Sequence, residues 1–486
     1  MMTNRPPGAT SIALKDNLDL TRGSLVQQLV KLLRDAIRSK TLRLGDRIPA
    51  TRKFAAELGV SRGTVTTAVE ILIAEGLLVS KVGAGVFVSQ DAQFIQNEGQ
   101  NISQTFIRNP EQNLVADADL PQTSAVDFRP CRPSIDLFPR TAWKQCFAQA
   151  TSAIPESDYG DPRGHLALRE EISGYLRRSR GLNASADEII VTNGAVHAMH
   201  LLASLFLRKG SKVIVEDPGY PLARQTFQAA GADIQTCKID EHGLIVESLP
   251  PAGDGVRIVY VTPSHQFPVG SCLTLGRRRA LLDWAHKNQA IIVEDDYDGE
   301  FRYDVPPLAP LASMENNCVF YCGTFSKILY PGIRIGYAVA PKPLIDQIAN
   351  FRLLTEYAPS DVPQSALRHF MAEGHFERHI HRMRRDYALK RSKVVEVLNH
   401  HLPDCSFSGV HSGLHGVLEL TDLNVSAQTV SRQAEDRNIL VPTLQRYAHS
   451  PENSRDALVI GYAASSLDRI TFGLERVCEI VKSIAS

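Results

Sequence analysis

Residues 322–337 read CGTFSKILYPGIRIGY, and this stretch decides how most of the chain is built. Lys327 follows an apolar, strand-like run and a Gly-Thr-Phe-Ser turn, and Arg334 comes seven residues later. A lysine held in such a turn can condense with an aldehyde to a Schiff base, while the turn hydroxyls and an arginine can hold a phosphate. Any lone lysine is more often a surface residue, so the reading needs support from other stretches.

Three stretches upstream supply it. The strand AIIV runs into EDDYDGEF (294–301), which puts carboxylates where an α/β sheet binds ligands, at the C-terminal edge of its strands. One of them can pair with a pyridinium nitrogen: Asp295 is the first choice, Asp296 the near alternative, and Tyr297 can hydrogen-bond the ring oxygen. In VTNGAVHAM (191–199), Gly194, Ala195 and Val196 follow a strand and open a helix, where free backbone N–H groups attract phosphate. In EDPGYP (216–221), Tyr220 can stack on a pyridine ring. Each signal alone is weak, and Tyr220 and His265 could equally be ordinary core residues. Together, in this order, they describe the needs of pyridoxal phosphate.

Working outward, apolar strands at Glu188–Val191, Lys212–Val215, Arg257–Val261, Ala290–Val293 and Val319–Cys322 alternate with helical stretches, the pattern of an α/β fold with a largely parallel sheet. From about Arg352, long helices precede a smaller α+β segment containing GVLEL and ALVIGYA. The His-rich run HFERHIHRMRR reads as a solvated helix face.

The N-terminal part is different. Apolar residues at helical spacing over Ser24–Ser39 give a first helix. Thr51 can cap a second through Leu58, Gly59 makes a tight turn, and Ser61 can cap a third running to about Glu75. That is helix-turn-helix spacing, and LLVSKVGAGVFVS behind it alternates like a β-hairpin wing. Between Arg22 and Gln90 there are 11 Lys plus Arg against 5 Asp plus Glu in a chain of zero net charge, the asymmetry of a phosphate-facing module. The third helix would enter the major groove with Ser61, Arg62, Thr64 and Thr67 nearest the bases, Arg62 foremost. Arg52, Lys53 and Lys81 would meet phosphates.

The 486 residues exceed one ordinary core, and the expected division is a head at 22–90, a polar linker at 91–125 and a large domain at 126–486. Composition, 43% hydrophobic and 22% charged, excludes a wholly disordered chain. The N-terminal MMTNRPPGAT lacks the apolar core of a signal peptide and no apolar run reaches the ~18 residues of a membrane span, so a cytoplasmic protein is expected. The eight cysteines are scattered and read as reduced; no metal site is expected.

IPATRKFAAELGVSRGTVTTAVEILIAEGLLVSKVGAGVFV resembles the winged helix-turn-helix of the GntR family. From Asp127 onward the chain resembles a fold type I aminotransferase, and the phrases DFRP, YGDPRGHLALR, VEDPGYP, TPSHQFPVG, EDDYDGEFRY and GTFSK stand in the order found in MocR/GabR regulators. The resemblance implies Lys327 as the Schiff-base lysine, Asp295 and Tyr297 as ring contacts, and Thr324, Ser326 and Arg334 as phosphate contacts. It further implies a homodimer in which Tyr159 reaches the partner's cofactor, operator DNA as partner, and a small amine, an amino acid or the vitamer as effector. A turnover aminotransferase with an accessory head is the alternative. The chain departs from aminotransferases at ALVIGYA, where Val459 replaces the arginine that holds a substrate carboxylate. The departure argues against efficient α-amino acid transamination and leaves two readings: the vitamer itself is the signal, or Arg302, Arg132 or another arginine supplies the carboxylate contact from a different direction.

Overall fold

The computed structural model describes residues 18–19, 23–92, 126–154, 157–303, 308–315, 317–450 and 454–485. The chain divides into two compact units, Met1–Asn113 and Leu114–Ser486. Residues 93–125, which hold almost all of the expected linker, lie outside the described residues.

In the first unit, helices α1 (Leu25–Arg38), α2 (Thr51–Leu58) and α3 (Arg62–Ala74) bury one face each around Leu29, Leu33, Ile37, Phe54, Val65 and Leu72. The turn between α2 and α3 needs a left-handed residue, supplied by Gly59 at φ +71°. Ser61 caps α3, its Oγ accepting the Thr64 N–H at 3.0 Å. Thr51 does not cap α2: it is the first helical residue and Ala50 takes the cap position, with no side-chain bond. Strands β2 (Leu78–Lys81) and β3 (Gly85–Val88) form the expected hairpin, and β1 (Arg47–Ile48) adds to the free edge of β3. After β3, a short turn at Gln90–Ala92 tucks Ala92 into the same core.

In the second unit β4 (Val126–Asp127) precedes an eight-stranded sheet made of β5 (Ile189–Thr192), β6 (Lys212–Asp217), β7 (Asp233–Asp240), β8 (Gly243–Leu244), β9 (Val256–Val261), β10 (Ile291–Asp296), β11 (Val319–Thr324) and β12 (Gly336–Val339). Its order is β5-β12-β11-β10-β9-β6-β7-β8. Pairings among β7, β6, β9, β10 and β11 are parallel, and β12 runs antiparallel to both its neighbours. Val, Ile and Tyr fill the central strands because both faces are covered: one core holds Val259, Ile292 and Tyr321, the other Ile258, Val293 and Phe320. The parallel strands therefore end on one edge, and that edge carries the chemistry.

A smaller subdomain follows: β13 (Phe407–Ser408), β14 (His415–Glu419) and β16 (Ala457–Gly461) form an antiparallel sheet against the helices His375–His401, Ala427–Glu435 and Leu467–Ala485. β15 (Ile439–Leu440) pairs with β4, tying the start of the unit to this layer. Among the described residues no helix is long and apolar enough to cross a membrane.

Candidate functional site

Four strand ends converge at the C-terminal edge of the sheet. β5 runs into Asn193-Gly194 and the helix Ala195–Phe206, whose first amides have no partner four residues back. Gly194 turns the chain at φ +92°, and a Cβ there would stand 3.5 Å from the Arg334 guanidinium. Arg334, itself left-handed at φ +49°, donates to the Asn193 carbonyl at 2.6 Å. Asn193 is fixed in turn: its N–H donates to His197 Nδ1 at 3.0 Å and its side-chain amide to Glu356 at 3.1 Å. Thr324 and Ser326 are buried at the end of β11, the Ser326 N–H donating to Thr324 Oγ1 at 3.2 Å. A guanidinium, two hydroxyls and free helix-start amides around a glycine form a cradle suited to a phosphate.

β10 ends in Asp295 and Asp296, both buried, and the structure separates them. Asp296 is bound by the Arg180 guanidinium and by the Tyr321 hydroxyl at 2.6 Å. Asp295 accepts only the Tyr260 hydroxyl, at 2.8 Å, and has no ion pair among the described residues; the Oδ1 of each aspartate is buried without a partner. Burial pushes the Asp295 carboxyl up to about 7; the Tyr260 bond and the Lys327 charge pull the other way. Lys327 itself is half-buried, and its Nζ makes no hydrogen bond or ion pair among the described residues. An orphaned carboxylate oxygen near an uncommitted amine is the donor set that a protonated aromatic nitrogen and an aldehyde require.

Tyr220 opens the helix Pro221–Ala229 and meets Phe267 edge-on at 5.6 Å. Burial raises the pKa of its hydroxyl above the ordinary phenol value. Tyr297 is buried with its hydroxyl 3.0 Å from His265 Nδ1, which also lies 2.9 Å from Asp298 Oδ2. Burial alone would lower the His265 pKa, but the Asp298 carboxylate outweighs it and the net shift is upward. Tyr159 is 73% exposed and stacks on Tyr357 at 4.5 Å, so in a single subunit it faces outward.

In the first unit Ser61, Arg62 and Thr67 are exposed along the start of α3, while Thr64 is half-buried and shares a 2.9 Å contact with the Ser61 hydroxyl. Arg52 and Lys53 are exposed on the first turn of α2, Lys53 lying 3.9 Å from Glu57. Lys81 stands at the end of β2 over the Phe87 ring, 5.1 Å from its centre.

Residues 25–88 match the bacterial regulatory proteins of the gntR family, and residues 135–455 match aminotransferase class I and II. Over 90% of the chain and 90% of the relative's length, it is 32% identical to the "Probable rhizopine catabolism regulatory protein MocR" of Rhizobium meliloti. The chain belongs to the MocR family of regulators. It is also 31% identical to the HTH-type pyridoxine biosynthesis transcriptional regulator PdxR of Corynebacterium glutamicum, over 94% of this chain and 96% of that one. The large domain superposes on an archaeal alanine:glyoxylate aminotransferase (TM-score 0.69, 24% identity, 74% of this chain, 92% of that one). The multiple substrate aminotransferase of Thermococcus profundus gives a TM-score of 0.71 at 22% identity (79% of this chain, 98% of that one). These likenesses establish the fold of the large domain as fold type I aminotransferase. A MocR regulator with this head is a DNA-binding transcription regulator, and the reading as an aminotransferase with an accessory head is not favoured.

The sequence reading of this MocR regulator missed several residues. Tyr260 sits in a run that reads as strand filler, yet its hydroxyl positions Asp295. Arg180 lies 116 residues from the Asp296 it neutralises, so no local spacing reveals the pair. The solvated-face reading of HFERHIHRMRR was wrong for one side of the helix: His379 is 1% exposed and its Nε2 donates to the Ile328 carbonyl at 2.8 Å, directly after Lys327. Val459 is fully buried in an apolar cluster with Phe267, Tyr297 and Tyr447, so no cation replaces it on that strand.

Proposed function

We propose that the large domain of this MocR regulator binds pyridoxal 5′-phosphate and uses it to sense a small amine, an amino acid or the vitamer. Lys327 is the residue whose amine condenses with the cofactor aldehyde. Asp295 holds the ring nitrogen, Tyr297 the ring oxygen, and Tyr220 covers the ring. Gly194, Ala195, Val196, Thr324, Ser326 and Arg334 take the phosphate, and Tyr159 reaches the cofactor of a partner subunit in a homodimer. When bound, the cofactor supplies a reversible condensation with primary amines. The division follows the sequence reading: a DNA-binding head at 22–90, a linker at 91–125 and the effector domain at 126–486.

The observation that carries this reading is buried Asp295, which makes no ion pair among the described residues and leaves its Oδ1 unmet, whereas Asp296, whose Oδ1 is also unmet, is already neutralised by Arg180. Leaving a buried carboxylate oxygen unmet costs folding free energy, and a bound cation-bearing ring removes that cost. In the head, Arg62 reads a base and Ser61, Thr64 and Thr67 line the same groove, while Arg52, Lys53 and Lys81 contact phosphates. A cytoplasmic location fits a regulator of this kind. A ligand that exchanges with Lys327 regulates DNA binding only by favouring one arrangement of the protein over another.

The test is the visible absorption spectrum of full-length protein mixed with pyridoxal phosphate, beside Lys327→Ala. The expected result is a yellow band that needs Lys327 and shifts when candidate amines are added. A spectrum indifferent to Lys327 overturns the cofactor reading and leaves the DNA-binding head untouched.

A further inference from the structure

A cavity in the large domain is bounded on one side by the end of β7 at Ile239 and Asp240 and on the other by the stretch Ser408–Ser412 that leads into β14. Its volume, about 760 Å³, falls within the range of small-molecule pockets. Two groups in its wall are left unmet by the fold. Arg302 Nε and Nη1 are buried with no hydrogen-bond partner, and so is the hydroxyl of Ser271, a residue 9% exposed. Arg302 reaches this wall because residue 302 pairs with Ser412 across an antiparallel bridge.

Two of the other charges around the cavity are paired. Asp240 is clamped by Arg277 through contacts of 2.5 and 2.7 Å, and Arg455 is paired with Glu419 at 3.1 Å. Glu241 is 81% exposed and turned to solvent. Among the described residues, Arg302 is the cation of the wall whose buried nitrogens are left unmet, and the wall also includes Glu241, Pro218, Ile239 and Val269. Arg302 also borders a smaller cavity of about 120 Å³, too small for more than a few solvent molecules.

We infer that the larger cavity is a second small-molecule site, for a monocarboxylate with a short apolar body, in which Arg302 and Ser271 hold the carboxylate. A planar guanidinium accepts a carboxylate through two parallel hydrogen bonds, and one free guanidinium matches one such group. The site is coupled to the cofactor side through a short path, since Gly409 lines the cavity and accepts from His265 Nε2 at 3.1 Å, and His265 Nδ1 faces Tyr297.

The probes are 3-phenylpropionate and its uncharged amide, followed by saturation-transfer NMR and calorimetry on full-length protein. The wild type is expected to bind the acid with a Kd of roughly millimolar order, and the amide at least about tenfold more weakly. Arg302→Met should lose about tenfold or more in affinity for the acid, Arg302→Lys less, and Ser271→Ala a smaller factor. Equal binding of acid and amide, equal binding by wild type and Arg302→Met, or no binding at all would overturn the site. The comparison of acid and amide needs no variant to fold. The same titration on Lys327→Ala separates this site from the cofactor reading, because a carboxylate held by Arg302 binds whether or not the cofactor does.

Discussion

Asp295 and Asp296 are neighbours on β10, so their side chains leave the strand on opposite faces of the sheet. Each keeps one oxygen without a partner, but Asp296 goes to Arg180 and Tyr321 and completes a buried ion pair, whereas Asp295 accepts only the Tyr260 hydroxyl and has no paired cation. The two substitutions should therefore fail differently. Asp296→Ala strands a buried guanidinium and should cost about 3–5 kcal/mol of unfolding free energy, read by denaturant titration. Asp295→Asn should leave the fold intact and weaken pyridoxal phosphate at least about tenfold, read by absorbance titration. Its pH dependence follows from the raised carboxyl. The folded-state value, about 7, lies above the ordinary 3.8, so the folded protein binds the proton more readily than the unfolded chain. That contribution to stability is complete below the ordinary value and is lost as pH rises toward 7. Without cofactor, wild type should lose stability over that window relative to Asp295→Asn, and cofactor affinity should rise through it. A pH-independent difference in melting temperature between the two would remove this role from Asp295.

The central strands were legible because β-branched runs buried on both faces leave a continuous apolar signal, as in the Ile-Ile-Val start of β10. Two-residue β1 carries no period, and its place comes from pairing with Phe87 and Val86 across the wing. The helix His375–His401 shows the opposite difficulty: Phe376, Ile380, Met383 and Tyr387 recur at helical spacing, but Arg and His between them mask the buried stripe. Helix α3 was readable to its first residue because a serine cap fixes the start. Ser61→Ala should cost about 1 kcal/mol, seen as a lower melting temperature of the head. Arg62→Ala, one residue on and fully outside the core, should leave melting unchanged and reduce discrimination between operator and random DNA by about 1–3 kcal/mol. Unaltered discrimination in a quantitative gel shift would take base reading away from Arg62.

At the scale of the whole molecule, the first unit has a core of its own: among the described residues, every one packed around Leu33, Phe54 and Leu72 lies between Leu18 and Ala92. A unit of that size is only marginally stable on its own, at a few kcal/mol, but it needs nothing from the second unit to bury its apolar faces. The site in the large domain is different, since it draws on strand ends from Thr192 to Gly336 and no shorter piece would contain it. On the proposed reading, sensing and DNA contact therefore fall to separate units. A fragment of residues 18–92 should unfold cooperatively in circular dichroism and bind DNA with an affinity that falls steeply with salt. Lys53→Ala should reduce its salt slope by about 1 while weakening all sequences alike, as expected of a phosphate contact. Amines that shift the absorption band of the full-length protein should change its DNA affinity and leave the fragment's untouched. If the fragment responded to the amine as the full chain does, the ligand would act on the head itself, and the large domain would have no part in the switch.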